Sequence, residues 1–134
     1  MRTQAQLIRD SYEQIQGAAQ AIAMLFYGRL FELDPAVRPM FKSDIRLQSK
    51  KLMDTITAVV DHADKLESMI PALRSLGKLH AEHGVVPAQY DTVRTALLWA
   101  FAQALQSDFD PDTRAAWDSF LQSASREMIA GASE

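Results

Sequence analysis

Apolar residues recur along this chain at intervals of three and four, the spacing that gathers side chains on one face of a helix. From Ala18 to Asp34 the series is Ile22, Leu25, Phe26, Leu30 and Leu33, and Asp34-Pro35 then ends or bends the helix. A short turn from Pro35 to Phe41 follows, in which Pro39 limits regular helix. From about Asp44 to His62 the inward series is Gln48, Leu52, Ile56, Val59 and Ala63, with Lys50, Lys51 and Asp54 elsewhere on the wheel. A polar connection, Asp64 to Ser68, leads to a helix from Met69 to His80 on which Met69, Leu73, Leu76 and His80 share a face, and Gly84 supplies a stop signal just beyond. Pro87 to Leu105 carries Tyr90, Val93, Leu97, Phe101 and Ala104 on one stripe. Asp110 as N-cap and Pro111 in the first turn open a last helix containing Trp117, Phe120, Leu121, Ala124 and Met128. No segment sustains the alternation expected of a strand, so the predicted fold is all-α. The helices differ in length and their connectors are uneven, which favours irregular crossed packing over an evenly built bundle.

At 134 residues the chain is predicted to form a single domain over 1–134, large enough to bury a core without a disulfide or metal clip. It contains no cysteine, which removes zinc ribbons, iron–sulfur clusters and thiol catalysis. The net charge of −3 lacks the electrostatic footprint of phosphate-backbone binding, so no nucleic acid partner is expected. The apolar run from Ala21 to Tyr27 is far shorter than the roughly 20 residues needed to span a bilayer, and no targeting segment precedes it. A cytoplasmic protein without membrane contact is the expectation.

Candidate chemistry sits in the order of a few residue types. Leu25-Phe26-Tyr27-Gly28-Arg29-Leu30-Phe31 is followed by Asp34-Pro35 and by Arg38-Pro39-Met40-Phe41, with eight residues from Tyr27 to Pro35 and six from Pro35 to Phe41. Gln48-Ser49-Lys50-Lys51-Leu52-Met53 comes next, then Leu76-Gly77-Lys78-Leu79-His80, Gly84-Val85 and Tyr90. Over about Gln4 to Ile129 this order resembles the globin family, above all single-domain bacterial globins and the haem domain of flavohaemoglobins. The resemblance implies the globin fold, with crossed helices around a haem b pocket.

It also implies roles. His80 is the metal ligand, since neutral imidazole is the usual nitrogen donor to a haem iron that must keep one face open. Tyr27 and Gln48 are the distal hydrogen-bond donors and carry any catalysis, with Leu47 the alternative occupant one position before Gln48. Phe41, Gln48, Leu52, Val85 and Tyr90 line the cofactor, and His62 and His83 are expected at the surface. Met40, Met53, Met69 and Met128 are assigned to the core. Flavohaemoglobins add a glutamate to the proximal histidine–tyrosine pair near the end of the last helix. Its place falls near Ala132, and Glu127 is more than a turn early, so that triad is expected to be incomplete.

The implied function is reversible binding of dioxygen, with nitric oxide and carbon monoxide as further small ligands. The implied activity is oxidation of nitric oxide to nitrate, dependent on a separate flavin or other reductase. A monomer or homodimer is expected. The alternatives are a gas-ligand sensor and a cofactor-free helical interaction domain, for which the apolar stripes alone would suffice.

Overall fold

The computed structural model describes residues 1–41 and 44–134, and among them there are six α-helices and no strand. The first helix, α1 (Gln4–Ile15), lies outside the helices predicted from apolar spacing. Its inward face includes Ser11 between Ile8, Tyr12 and Ile15, so a polar residue interrupts the stripe. The start is nevertheless encoded locally. The Thr3 hydroxyl accepts the Gln6 amide and the Gln6 side chain accepts the Thr3 amide, which is a capping box. The remaining helices are α2 (Ala19–Leu33), α3 (Ile45–Asp61), α4 (Ile70–Glu82), α5 (Pro87–Leu105) and α6 (Pro111–Ala132).

Short polar residues set three of the starts. Asp34 accepts the Ala36 amide at the 3₁₀ turn Pro35–Met40, Asp44 accepts the Arg46 amide at α3, and Asp110 accepts the Thr113 amide at α6. Gly84 follows α4 with φ +92°, a backbone state that other residues reach only under strain.

Helices α1, α2, α5 and α6 enclose one core in which Ile8, Ile22, Leu30, Phe101 and Trp117 are fully buried. Trp117 meets Phe101 at 4.6 Å between ring centroids, and its indole N–H donates to Ser11 Oγ at 2.9 Å. Ser11 in turn donates to the Leu7 carbonyl, so the one polar residue on the inner face of α1 satisfies the tryptophan.

Several positions differ from the expected stripes. On α3 the buried residues are Ser49, Met53, Ile56 and Val60, whereas Gln48, Leu52 and Val59, and Ala63 just past its end, are only half-buried. The core face of α3 is therefore offset by roughly a quarter-turn from the predicted one. Met40 was expected in the core but is 37% exposed, because Pro39 holds it in a 3₁₀ turn that presents it outward. Ala104, Leu25 and Leu33 are likewise exposed at the edges of their stripes, while Met53 is buried and Met69 and Met128 are half-buried.

Candidate functional site

The half-buried face of α3 looks onto a crevice. Gln48, Leu52, exposed Thr55 and Val59 follow one another at four, three and four, and Met69, just before α4, is followed at the same intervals by Leu73, Leu76 and His80 on α4. Asp54, Thr55, Ala58 and Val59 from α3, Met69 just before α4, and Ala72, Leu73 and Leu76 from α4 line a cavity of about 380 Å³, and Gln48, Leu52 and His80 lie beyond its lining. The volume is within the ~300–1,000 Å³ typical of ligand sites, and the walls are mostly apolar. The opening exists because the two walls are held from behind by different partners: α3 packs on α1 and α2, and α4 on α6.

At the α4 end, His80 is half-buried and its Nδ1 lies 2.9 Å from the Leu76 carbonyl. A carbonyl can only accept, so Nδ1 carries the proton and Nε2 keeps a free lone pair. Burial lowers the pKa of His80, the Leu76 carbonyl opposes that shift, and His83 adds to it, so the imidazole is neutral at physiological pH. Tyr90, at the start of α5, stacks on the ring with 6.3 Å between centroids and 25° between planes. Val85 is half-buried behind the helix end, and its amide donates to the His80 carbonyl. His83 is exposed and His62 half-buried, each with Nδ1 on a carbonyl of its own helix. Glu127 is engaged elsewhere, pairing with Arg74 at 3.1 Å. Among the described residues neither His80 nor Tyr90 hydrogen-bonds a carboxylate.

At the other wall Tyr27, Phe31 and Phe41 form an aromatic cluster. Tyr27 meets Phe41 edge-on at 5.3 Å and Phe31 at 6.0 Å, and Phe31 meets Phe41 at 5.6 Å. The Tyr27 hydroxyl donates a long hydrogen bond, 3.4 Å, to the backbone carbonyl of Gln48. This brings Tyr27 and Gln48 together through the main chain of α3, and Gln48 itself is half-buried. Burial pushes the Tyr27 pKa up to about 12, so the hydroxyl keeps its proton as a donor. Leu52 stands one turn further along α3. Phe31, Thr55 and Val59 were not singled out from sequence as site residues, although Thr55 and Val59 continue the three-and-four spacing from Gln48. Arg38, whose guanidinium lies 5.0 Å over the Phe31 ring, carried no comparable signal.

The donor set suits a planar tetradentate cofactor better than a bare metal ion. Among the described residues no group of three His, Cys, Asp or Glu could hold a metal, so an ion at His80 must bring its other ligands with it. No helix of the described chain is long and apolar enough to cross a membrane.

Comparison with known proteins agrees with this geometry. The chain is 30% identical over 123 residues to anaerobic nitrite reductase NSHB5 of Oryza sativa subsp. indica, covering 87% of this chain and 84% of that protein. It is 29% identical over 125 residues to neuroglobin of Danio rerio, covering 83% and 79% respectively. Residues 24–128 match the family described as Globin, a membership that implies haem-based gas binding. With six α-helices, a match over residues 24–128 and 30% identity to the rice protein over most of both chains, this chain belongs to the globin family.

Proposed function

We propose that residues 1–134 act as one haem b domain, of the kind found in single-domain bacterial globins and flavohaemoglobins. In this reading the domain binds dioxygen reversibly and oxidises nitric oxide to nitrate with electrons from a separate reductase. The observation that carries the reading is the 2.9 Å contact of His80 Nδ1 with the Leu76 carbonyl. The Nδ1 proton is held by the Leu76 carbonyl, which leaves Nε2 as the ligand atom and fixes the ring against rotation. Stacking on Tyr90 holds the same ring from one side. When bound, the haem supplies an iron with one position left open for a diatomic ligand.

The other residues create what that open position needs. Phe41, Leu52 and Val85 supply apolar packing, which keeps water away from a ligand. Tyr27 and Gln48 are the donors toward a ligand that carries partial negative charge. The long bond from Tyr27 to the Gln48 carbonyl is weak, so the hydroxyl can exchange it for a better acceptor. The overall reaction, nitric oxide plus dioxygen plus one electron giving nitrate, consumes one electron per turnover, and a flavin reductase supplies it.

Optical spectra of the purified protein, ferric, then reduced, then exposed to carbon monoxide, test cofactor, ligand and open site together. A histidine-ligated haem b spectrum that shifts with carbon monoxide is expected, and a colourless protein after haem supplementation would favour a cofactor-free interaction domain. Mixing the oxygenated protein with nitric oxide should then give one stoichiometric burst of nitrate, continuing only when the reductase and NADH are added. Failure of the burst would move the function toward oxygen binding or sensing. A second reading comes from the name of the rice relative at 30% identity, nitrite reduction. It predicts that nitrite added anaerobically to the reduced protein is converted, with one electron and two protons, to nitric oxide and water.

A further inference from the structure

Between residues 38 and 51 the sequence places five of the chain's 14 Lys and Arg, namely Arg38, Lys42, Arg46, Lys50 and Lys51, against a single carboxylate. This short segment carries +4 in a chain whose net charge is −3, so the rest of the molecule carries −7. The one acid, Asp44, is engaged as the N-cap of α3, where it accepts the Arg46 amide at 2.9 Å. Lys50 shares a surface pair with Asp54 at 2.8 Å. Among the described residues Arg38, Arg46 and Lys51 have no carboxylate in ion-pair contact, whereas Arg2, Arg9, Arg29, Arg74 and Arg94 all do. The remaining unpaired cations, Lys65, Lys78, Arg114 and Arg126, are spread over the connection before α4, α4 itself and α6.

The patch also has an apolar centre and a fixed relation to the crevice. Leu47 is 52% exposed and shares a face of α3 with Lys51, and Arg46 and Lys50 stand side by side at the same four-residue offset. Arg38 lies over Phe31, whose ring touches Phe41, and Tyr27 links that aromatic cluster to Gln48. Among the described cations, Arg38 therefore lies against the aromatic cluster, and Arg46, Lys50 and Lys51 stand on the helix that carries Gln48.

We infer that this corner is the docking surface for an acidic redox protein, the separate electron donor. The inference rests on reading the crevice as a haem site, because that reading creates the need for a donor. A positive corner on a negative body orients an acidic partner before contact and repels it from every other approach. Exposed Leu47 inside a charged rim has the anatomy of a transient protein interface. A compact acidic protein needs to touch only the patch. An anionic membrane is an extended plane that would also meet the acidic remainder of the chain, which disfavours it.

The test uses the haem-loaded full chain and flavodoxin hydroquinone as an acidic one-electron donor, followed by stopped-flow absorbance. Reduction should slow steeply as salt is raised. The Arg46→Glu/Lys51→Glu double variant should be slowed by about 10- to 100-fold at low salt and lose most of its salt dependence. A Lys65→Glu/Arg126→Glu control of equal charge change should behave as the parent protein. A second readout needs no haem chemistry: carbodiimide coupling should join flavodoxin carboxylates to Lys50 or Lys51, as mapped by peptide mass. The carbon monoxide spectrum of each variant separates the two levels of the argument, since its loss in the parent protein defeats the haem reading while coupling still decides the surface. Salt-independent reduction, equal slowing in the control, or coupling centred on Lys65 or Lys78 would overturn the inference. So would adsorption to phosphatidylserine vesicles by a chain that fails to couple.

Discussion

Helix α4 meets α6 backbone to backbone, whereas α3 is held to α1 and α2 through side chains. A Cβ added at Gly77 would collide with the Met128 carbonyl, and one at Gly131 with the backbone of Arg74, so two glycines set one antiparallel close approach. Arg74 then ties α4 to Glu127 of α6 and to Glu134 just beyond its end. On the other wall, Tyr12 reaches Thr57 at 2.6 Å, Arg9 reaches the Asp61 carbonyl at 2.9 Å, and Tyr27 reaches the Gln48 carbonyl. Backbone contact leaves α4 one position, while rotatable side chains allow α3 small displacements. The difference suits the proposed chemistry, in which a metal ligand must be held at one distance while the ligand-facing wall accommodates an entering gas.

The largest effect that would break this comparison is expected at His80. His80→Ala should abolish stable haem capture, with added imidazole restoring a nitrogen-ligated spectrum. Haem retained with an unchanged spectrum would remove α4 from its assigned role.

Next come two identical substitutions on opposite walls. Gly77→Ala forces α4 off the α6 backbone and should lower stability by about 3 kcal/mol, the upper end of overpacking effects. Gly28→Ala on α2 meets nothing within 4 Å and should be neutral or stabilising by up to about 1 kcal/mol through helix propensity. Urea unfolding of the haem-free chains measures both, and equal effects at the two sites would erase the contrast.

Alkaline titration examines the side-chain wall. The folded pKa of Tyr27 is raised from 10.0 to about 12, so the neutral form is favoured on folding. Its contribution to stability is complete below pH 10 and is lost as pH rises through 12, amounting to about 3 kcal/mol for two pKa units. Tyr27→Phe should flatten that part of the pH–stability curve. An identical decline in the variant would place the titration elsewhere.

Smaller again is the effect of Gln48→Leu on ligand release. Loss of one charge-assisted hydrogen bond corresponds to about 1.5–3 kcal/mol, so oxygen dissociation should accelerate by roughly 10- to 150-fold and carbon monoxide dissociation much less. Matching changes for both gases would indicate altered access in place of a lost donor. The smallest effect is expected from Arg74→Gln. Its ion pairs are partly exposed and contribute under about 1 kcal/mol, so urea unfolding should show the glycine contact to dominate the α4–α6 interface.

Short-range determinants account for what the sequence by itself determined about this protein. Caps, prolines and three-and-four spacing act within a turn or two of chain, so α5 appears over Pro87–Leu105 as expected and Asp110 caps α6. The order of Tyr27, Phe41, Gln48, Leu52, His80, Val85 and Tyr90 carried the resemblance to the globins, and the family match over residues 24–128 agrees with that resemblance. Tertiary structure alone decided which helical face was core and which was crevice. On α3 both faces are largely apolar and a quarter-turn apart, and only packing on α1 and α2 buries Met53 and Val60 while leaving Leu52 and Val59 half-open. The same holds for Gly77 and Gly131, which read as weak helix positions until α6 is brought against α4, and for Glu127, whose partner Arg74 is 53 residues away. Local spacing specifies a face, but burial of that face depends on contacts between segments distant in sequence, which no local periodicity encodes.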